Sequence, residues 1–240
     1  MEITTKSYNF TIKPRTCLST DKFDFFIDVS NDCDAGCLFC CNDNESDKEL
    51  DLKQLETDFL KVKDRVARVV ISGGEPLIDP ERLGDLLKLL SSFEVDVKLI
   101  TNGHKLEERL PILGMYGVRA VQLSRHHYHD SENDGIFSTK TLQFEKFGGM
   151  VENHPNIRFS VNCLLIQGYI DNAEKIVQFL ESCSQIGIDS VKFVGLMKVN
   201  QYCHKHFVDY REVIKNLPVD FLQTDSRNDE DRCSCVTSSL

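Results

Sequence analysis

The chain has no apolar run near the ~20 residues needed to cross a bilayer. Its start, MEITTKSYNF, lacks the basic stretch followed by an apolar core that marks a secretory leader. It therefore reads as soluble and cytoplasmic, with no membrane partner. Positive charge is also short: 28 Lys and Arg stand against 38 Asp and Glu, for a net charge of −10. So acidic a chain is repelled by phosphate backbones, which weighs against a broad nucleic-acid surface but leaves room for a local basic pocket. Internal repeats and low-complexity linkers are absent too. A length of 240 residues, 41% of them hydrophobic, suits one domain.

Cysteine is plentiful, with ten in the chain. Without a leader they argue against a disulfide scaffold, and in a reducing compartment clustered thiols more often bind metal. Cys163 and Cys183 sit in apolar patterns and read as core residues. Cys33, Cys37 and Cys40 are different: the stretch NDCDAGCLFCCN (31–42) spaces them as C-x3-C-x2-C.

Periodicity alternates along the chain. Strand-like runs occur at 23–30, 67–72, 95–101, 117–124, 156–166 and 188–197. Helix-like spacing occurs at 51–66, at 79–92 with Asp79 as N-cap and Pro80 in the first turn, at 105–116 where Pro111 should break or kink the helix, near 138–152, and at 172–187. This β-then-α order predicts parallel strands with helical crossovers. Six units are too few for a closed eight-stranded barrel, so the expected fold is α/β, a partial (β/α)6 barrel with a short C-terminal extension. The expected organisation is a core over 1–216, including an N-terminal extension over 1–22, and a polar tail over 217–240 that is a candidate metal-binding segment. In such folds the loops after the strands carry the chemistry.

Three thiolates can hold a [4Fe–4S] cube by three corners and leave one iron open. The spacing differs from zinc ribbons, which pair CxxC units, and from ferredoxins, which supply four cysteines per cluster. The residue before the third cysteine is Phe39. After the next strand comes SGGEP (72–76), whose two glycines permit close backbone approach and whose carboxylate can accept from an ammonium group. A tight turn with Glu75 capping the following helix is the plainer reading of that stretch.

Together the two motifs resemble the radical S-adenosylmethionine (SAM) superfamily, and the resemblance extends over residues 23 to about 215. It implies a [4Fe–4S] cluster on Cys33, Cys37 and Cys40 and SAM on the open iron. It also implies a reductant such as flavodoxin or ferredoxin, and a 5′-deoxyadenosyl radical that takes a hydrogen atom from substrate. It places Phe39, Gly73, Gly74 and Glu75 around the cofactor, the last three at the amino end of its methionine. Asn102, Ser124 and Asn162 match further polar contacts, with ordinary strand-end chemistry as the alternative. The substrate would be a small molecule or a peptide.

Within that superfamily the stretch 191–217 resembles the cyclase that begins molybdenum-cofactor biosynthesis. Phe26 and Val70 stand where that group has arginines for the triphosphate of GTP, so a different substrate is expected. SRHHYHDSEND (124–134) would point Arg125, His126, His127 and His129 at the active-site mouth; Arg125 and His127 are the candidates for substrate contact, with a solvated loop or a metal as alternatives. Cys203, Cys233 and Cys235 are candidate ligands of an auxiliary cluster, with zinc or no metal as the other readings, and Cys41 is expected not to be a ligand. Two further readings of the whole chain are a glycyl-radical activating enzyme and a non-catalytic iron–sulfur or zinc protein.

Overall fold

A computed structural model of the chain describes residues 22–42, 50–188 and 190–217. Six strands form one parallel sheet in the order β1 to β6: β1 Phe23–Asp28, β2 Val66–Ser72, β3 Val97–Thr101, β4 Ala120–Ser124, β5 Arg158–Leu165 and β6 Val191–Gly195. Every strand pairs with the next in sequence, the order produced when each right-handed crossover returns one place along. The result is a half-barrel with its helices on the outer face, as the β/α alternation predicts.

The crossover helices are α1 Leu52–Val62, α2 Pro80–Ser91, α3 Leu106–Met115, α4 Asp130–Phe137, α5 Phe144–Asn153 and α6 Ala173–Gln185, followed by α7 Gln201–Lys205 and α8 Tyr210–Lys215. Side chains start several of them. Asp51, Asp79 and Asn172 each accept backbone N–H bonds from the first turn that follows. In α2, Leu83, Leu86, Leu87 and Leu90 recur at helical spacing and are all buried against the sheet. The strands present Val69, Ile71, Leu99, Val121, Phe159, Val161 and Cys163 to that core. Their alternate residues face the open concave side.

Two expectations change. Helix α3 runs unbroken through Pro111: the proline removes one backbone donor, but Leu106, Leu110 and Leu113 are buried on either side and anchor both halves. The helix expected near 138–152 is α5, which starts only at Phe144, and an unexpected helix, α4, precedes it, with Ser138 ending α4 in the left-handed region at φ 54°. Half of the supposed polar loop 124–134 is therefore helix. Its polar sequence hid it, although Asp130 and Glu132 in the first turn suit a helix N-terminus. Among the described residues no helix is long and apolar enough to cross a membrane.

Candidate active site

The β1–β2 ladder does not stop at the strand ends. Val29 N donates to Ser72 O at 3.0 Å, Gly74 N to Ser30 O at 2.7 Å and Glu75 N to Asp32 O at 2.7 Å. The cysteine loop and the SGGEP loop are thus zipped together by backbone bonds. A Cβ on Gly74 would lie 2.2 Å from Asp32 O, and one on Gly73, whose φ is 123°, 2.5 Å from Ser30 O. The backbone that the glycines let approach is therefore the chain's own, immediately before Cys33.

Glu75 turns inward and is 1% exposed. Its Oε1 accepts from Leu77 N at 3.0 Å and Thr101 Oγ1 at 2.7 Å, and its Oε2 from Asn102 N at 2.7 Å. Burial pushes its carboxyl above the ordinary range although these three donors pull it down. Asn102 carries the connection onward. Its side-chain amide donates to Asp34 Oδ1 at 2.7 Å, its Oδ1 accepts from His104 N, and Asp34 Oδ2 lies 2.6 Å from His104 Nδ1. Three loops, after β1, β2 and β3, are closed into one ring of hydrogen bonds. The carboxylate expected to meet an ammonium group is the hub of that ring, and Asn102 braces it.

On this frame Cys33 and Cys40 are exposed and Cys37 is half-buried, with Cys40 N donating to Cys37 O in a turn. The far side of the loop is anchored too. Gly36 N donates to Phe137 O at 2.8 Å, Asn200 Nδ2 to Leu38 O at 3.0 Å, and Cys203 Sγ to Phe39 O at 3.8 Å. Ala35, Cys37 and Phe39 pack on a small second core of Ile136, Phe137, Ile166 and Leu196. Burial first, and the proximity of Cys33 and Cys40 next, push the Cys37 thiol up to about 12; burial also raises Cys33. Thiolates crowded this way need positive charge beside them, which iron supplies. Among the described residues no three His, Cys, Asp or Glu side chains close on a point where one metal ion fits. The corners of a cube bind separate irons and need no such point.

The other cysteines are placed differently. Cys163 and Cys183 are fully buried in the main core. Cys203 is fully buried beneath the cysteine loop, a packing position; Cys233 and Cys235 lie outside the described residues. Cys41 is exposed beside Cys40.

On the concave side, Ser124, the last residue of β4, stands opposite Asn162, in the middle of β5. Asn162 Oδ1 is buried without a hydrogen-bond partner. An orphaned acceptor on the concave face, opposite the last residue of β4, fits a ligand that brings hydroxyl or ammonium donors, as SAM does. Cofactor and residues are therefore compatible here.

The cationic mouth is a correction. Arg125, His126 and His127 are 1%, 2% and 6% exposed; only His129 of that run is exposed. Arg125 donates to Leu142 O and Tyr128 O, pairs with Asp130, and lies over the Phe144 ring at 4.3 Å. It fastens α4 and α5 to the sheet. Asn133 Oδ1 accepts from both His126 N and His127 N, which turns the segment back into the protein. The His126 ring stacks on Phe137 at 4.9 Å and meets Phe39 edge-on at 5.2 Å. Asp34 and Asn133 both matter to the site and were missed from the sequence. Only proximity to the motifs could have marked Asp34.

A family model described as the Radical SAM superfamily matches residues 27–214. Among characterised proteins the chain is 25% identical to the GTP 3′,8-cyclase of Aquifex aeolicus over 81% of this chain and 64% of that one. It is 27% identical to a candidate peptide biosynthesis protein, YydG, of Bacillus subtilis over 43% of this chain and 35% of that one. The chain spans 64%, 25% and 31% of the first relatives' own lengths. Among solved structures, Streptococcus suis SuiB bound to the precursor peptide SuiA has the same fold, with a TM-score of 0.61 at 20% identity over 76% of this chain and 41% of that one.

Proposed function

The chain belongs to the radical SAM superfamily, and on that footing we propose that it is an enzyme holding a [4Fe–4S] cluster on Cys33, Cys37 and Cys40 and SAM beside it. When bound and reduced, for instance by flavodoxin or ferredoxin, such a cluster would supply the one electron needed to cleave the sulfonium of SAM to a 5′-deoxyadenosyl radical that would take hydrogen from a small metabolite or a peptide.

The observation that carries this reading is the zip between the two motif loops, Gly74 N to Ser30 O and Glu75 N to Asp32 O. It fixes the thiol loop at the C-terminal end of the half-barrel. Gly73, Gly74 and Glu75 then form the backbone floor beside the cluster, with Phe39 and Asn102 holding its walls. Ser124 and Asn162 offer polar atoms to SAM from the concave face, Asn162 through its unpaired oxygen. The small core around Phe39 and Phe137 keeps water from one side of the loop.

Cyclisation of GTP is not proposed. Phe26 and Val70 supply no charge where the cyclase group has arginines, and each missing contact is worth about 1.5–3 kcal/mol to a phosphate. The peptide-linked similarities support a peptide as one of the two substrate classes.

Anaerobic reconstitution tests the proposal. The protein should take up about four irons and turn brown, and with SAM and dithionite it should release 5′-deoxyadenosine. A protein that binds no iron, or whose cluster spectrum ignores SAM, would overturn it.

A further inference from the structure

Eight large apolar side chains are exposed among the described residues, and three of them meet in one place: Leu38 at 63%, Met197 at 58% and Val199 at 52%. Leu38 belongs to the cysteine loop, between Cys37 and Phe39, and the other two to the segment between β6 and α7. The side chain of Asn200, next to Val199, donates to Leu38 O at 3.0 Å and joins the two segments. Met197 O accepts from Val199 N at 2.8 Å in a tight turn, and both side chains stay outside. Apolar groups gathered this way on a surface mark a place where something docks.

The patch has a cationic border, although the chain's net charge is −10. Residues 190–208 hold Lys192, Lys198 and Lys205 and no Asp or Glu. Lys198 and Lys205 are exposed, as is His204. Lys198 Nζ lies 4.0 Å from the centre of the Phe207 ring, so its stem is laid over an aromatic surface while its charge stays in water. Neither Lys198 nor Lys205 pairs with a carboxylate among the described residues. The described part of the cysteine loop has its own carboxylates at Asp32 and Asp34, but these residues bond to the segments after β2 and β3, away from β6. The face is therefore apolar at its centre, positive at its border and opposite in sign to the chain as a whole. It attracts an acidic partner, whereas two copies of so acidic a chain repel each other.

We infer that this face docks the reductant, a small acidic electron-transfer protein, through Leu38, Met197 and Val199 with Lys198 and Lys205 at the border. The inference rests on the radical SAM reading and deepens it by naming where the electron enters. Cys33 and Cys40 of the same loop are exposed, so a partner seated on Leu38 brings its redox group close to the thiols proposed to hold the cluster. A patch of three side chains suits the purpose, since electron-transfer encounters are weak and bury less than about 1,200 Å². One electron would pass: the carrier is oxidised, the cluster is reduced, and no bond forms or breaks.

Calorimetry on the reconstituted full chain tests this with a flavodoxin and, separately, with a ferredoxin, both acidic. At least one should bind at about 20 mM salt, and its binding should weaken about tenfold or more by about 500 mM, where exposed charges are screened. The double variant Lys198→Glu, Lys205→Glu and the single variant Met197→Asp should each weaken it by a similar factor at low salt. With dithionite, which needs no docking, both variants should release 5′-deoxyadenosine at the parent's rate; with the reduced carrier protein the release should slow as the binding does. Iron uptake shows that each variant is intact; if Met197→Asp is not, the lysine pair and the salt dependence decide. Binding by neither carrier, binding indifferent to salt, or equal binding by the lysine variant overturns the inference. Equal slowing with dithionite also overturns it and gives the face to the substrate, and a parent dimer that Met197→Asp splits gives it to a second copy. A chain that takes up no iron sinks the radical reading itself. One that takes up iron and cleaves SAM with dithionite, yet fails with both carriers, sinks only this inference.

Discussion

The side-chain amide of Asn102 donates to Asp34 at 2.7 Å, joining residues 68 apart in sequence. Asp34 is the residue after Cys33, the first cysteine of the loop, and Asn102 follows the strand on which Thr101 grips Glu75. The bond makes the cysteine loop part of the sheet. Without it the loop keeps its backbone zip on one side and its small core on the other, and only the His104 contact to Asp34 still ties it to the segment after β3.

Asn102→Ala should therefore leave the protein folded and loosen the site. A lost hydrogen bond to a carboxylate costs about 1.5–3 kcal/mol. Reconstituted cluster should bleach faster under a chelator than in the parent, with iron uptake at saturation unchanged. Identical bleaching rates would show that the brace does not hold the loop.

Cysteine substitutions separate ligands from packing. Cys37→Ala should drop iron from about four per chain to near none. Cys163→Ala should keep full iron and lower stability, because a fully buried thiol is replaced by a smaller group. Equal iron in the Cys37 variant and the parent would remove Cys37 from the ligand set.

Glycines differ in what a methyl group would meet. Gly74→Ala puts a Cβ against backbone oxygens of Asn31 and Asp32, which no rotamer change relieves. The expected cost is at or beyond the upper end of the ~1–3 kcal/mol typical of overpacking, with loss of cluster assembly. Gly135, within α4, has nothing within 4 Å of such a Cβ, so Gly135→Ala should be neutral or stabilising by up to about 1 kcal/mol. Denaturant melts of both variants check the contrast; two equal losses would refute the close approach.

The alternation of strands and helices was legible because period 2 and period 3.6 patterns are local, and the thiol loop because its spacing is a motif in itself. What the sequence hid is what depends on contacts between distant segments. Asp34 and Asn102 meet only once the sheet exists. Helix α4 carries DSEND, a composition that reads as loop, and its burying residues, Asn133, Ile136 and Phe137, come late in it. Arg125 looked like a surface cation because nothing local announces that Asp130, Phe144 and the Leu142 carbonyl will enclose it. Arg68, Lys98 and Arg158 each occupy the polar position of an alternating strand, which reads as solvent-facing until curvature gathers them around one cavity.

Acid sensitivity should trace in part to His126. Its ring is enclosed between Phe137 and Phe39, and Nδ1 accepts from Leu164 N at 3.2 Å. Burial brings its pKa from the ordinary 6.5 down to about 3. A base depressed in the folded state gives stability that is complete above the unfolded value and is lost as pH falls below it, since only the unfolded chain then takes the proton. Between pH 7 and 5 that loss is about 2 kcal/mol. His127, also lowered by burial, acts in the same direction. Glu75, raised by burial, acts in the opposite one, since its folded form protonates more readily. The parent's own slope mixes all three, so the decisive quantity is a difference between proteins. His126→Gln keeps an acceptor for Leu164 N and has no titrating group. It should be less stable than the parent at pH 7 through lost stacking, yet its stability should fall by about 2 kcal/mol less on going to pH 5. Urea melts at the two pH values measure both numbers. Parallel slopes for variant and parent would mean that the ring is charged, or reached by water, in the folded protein.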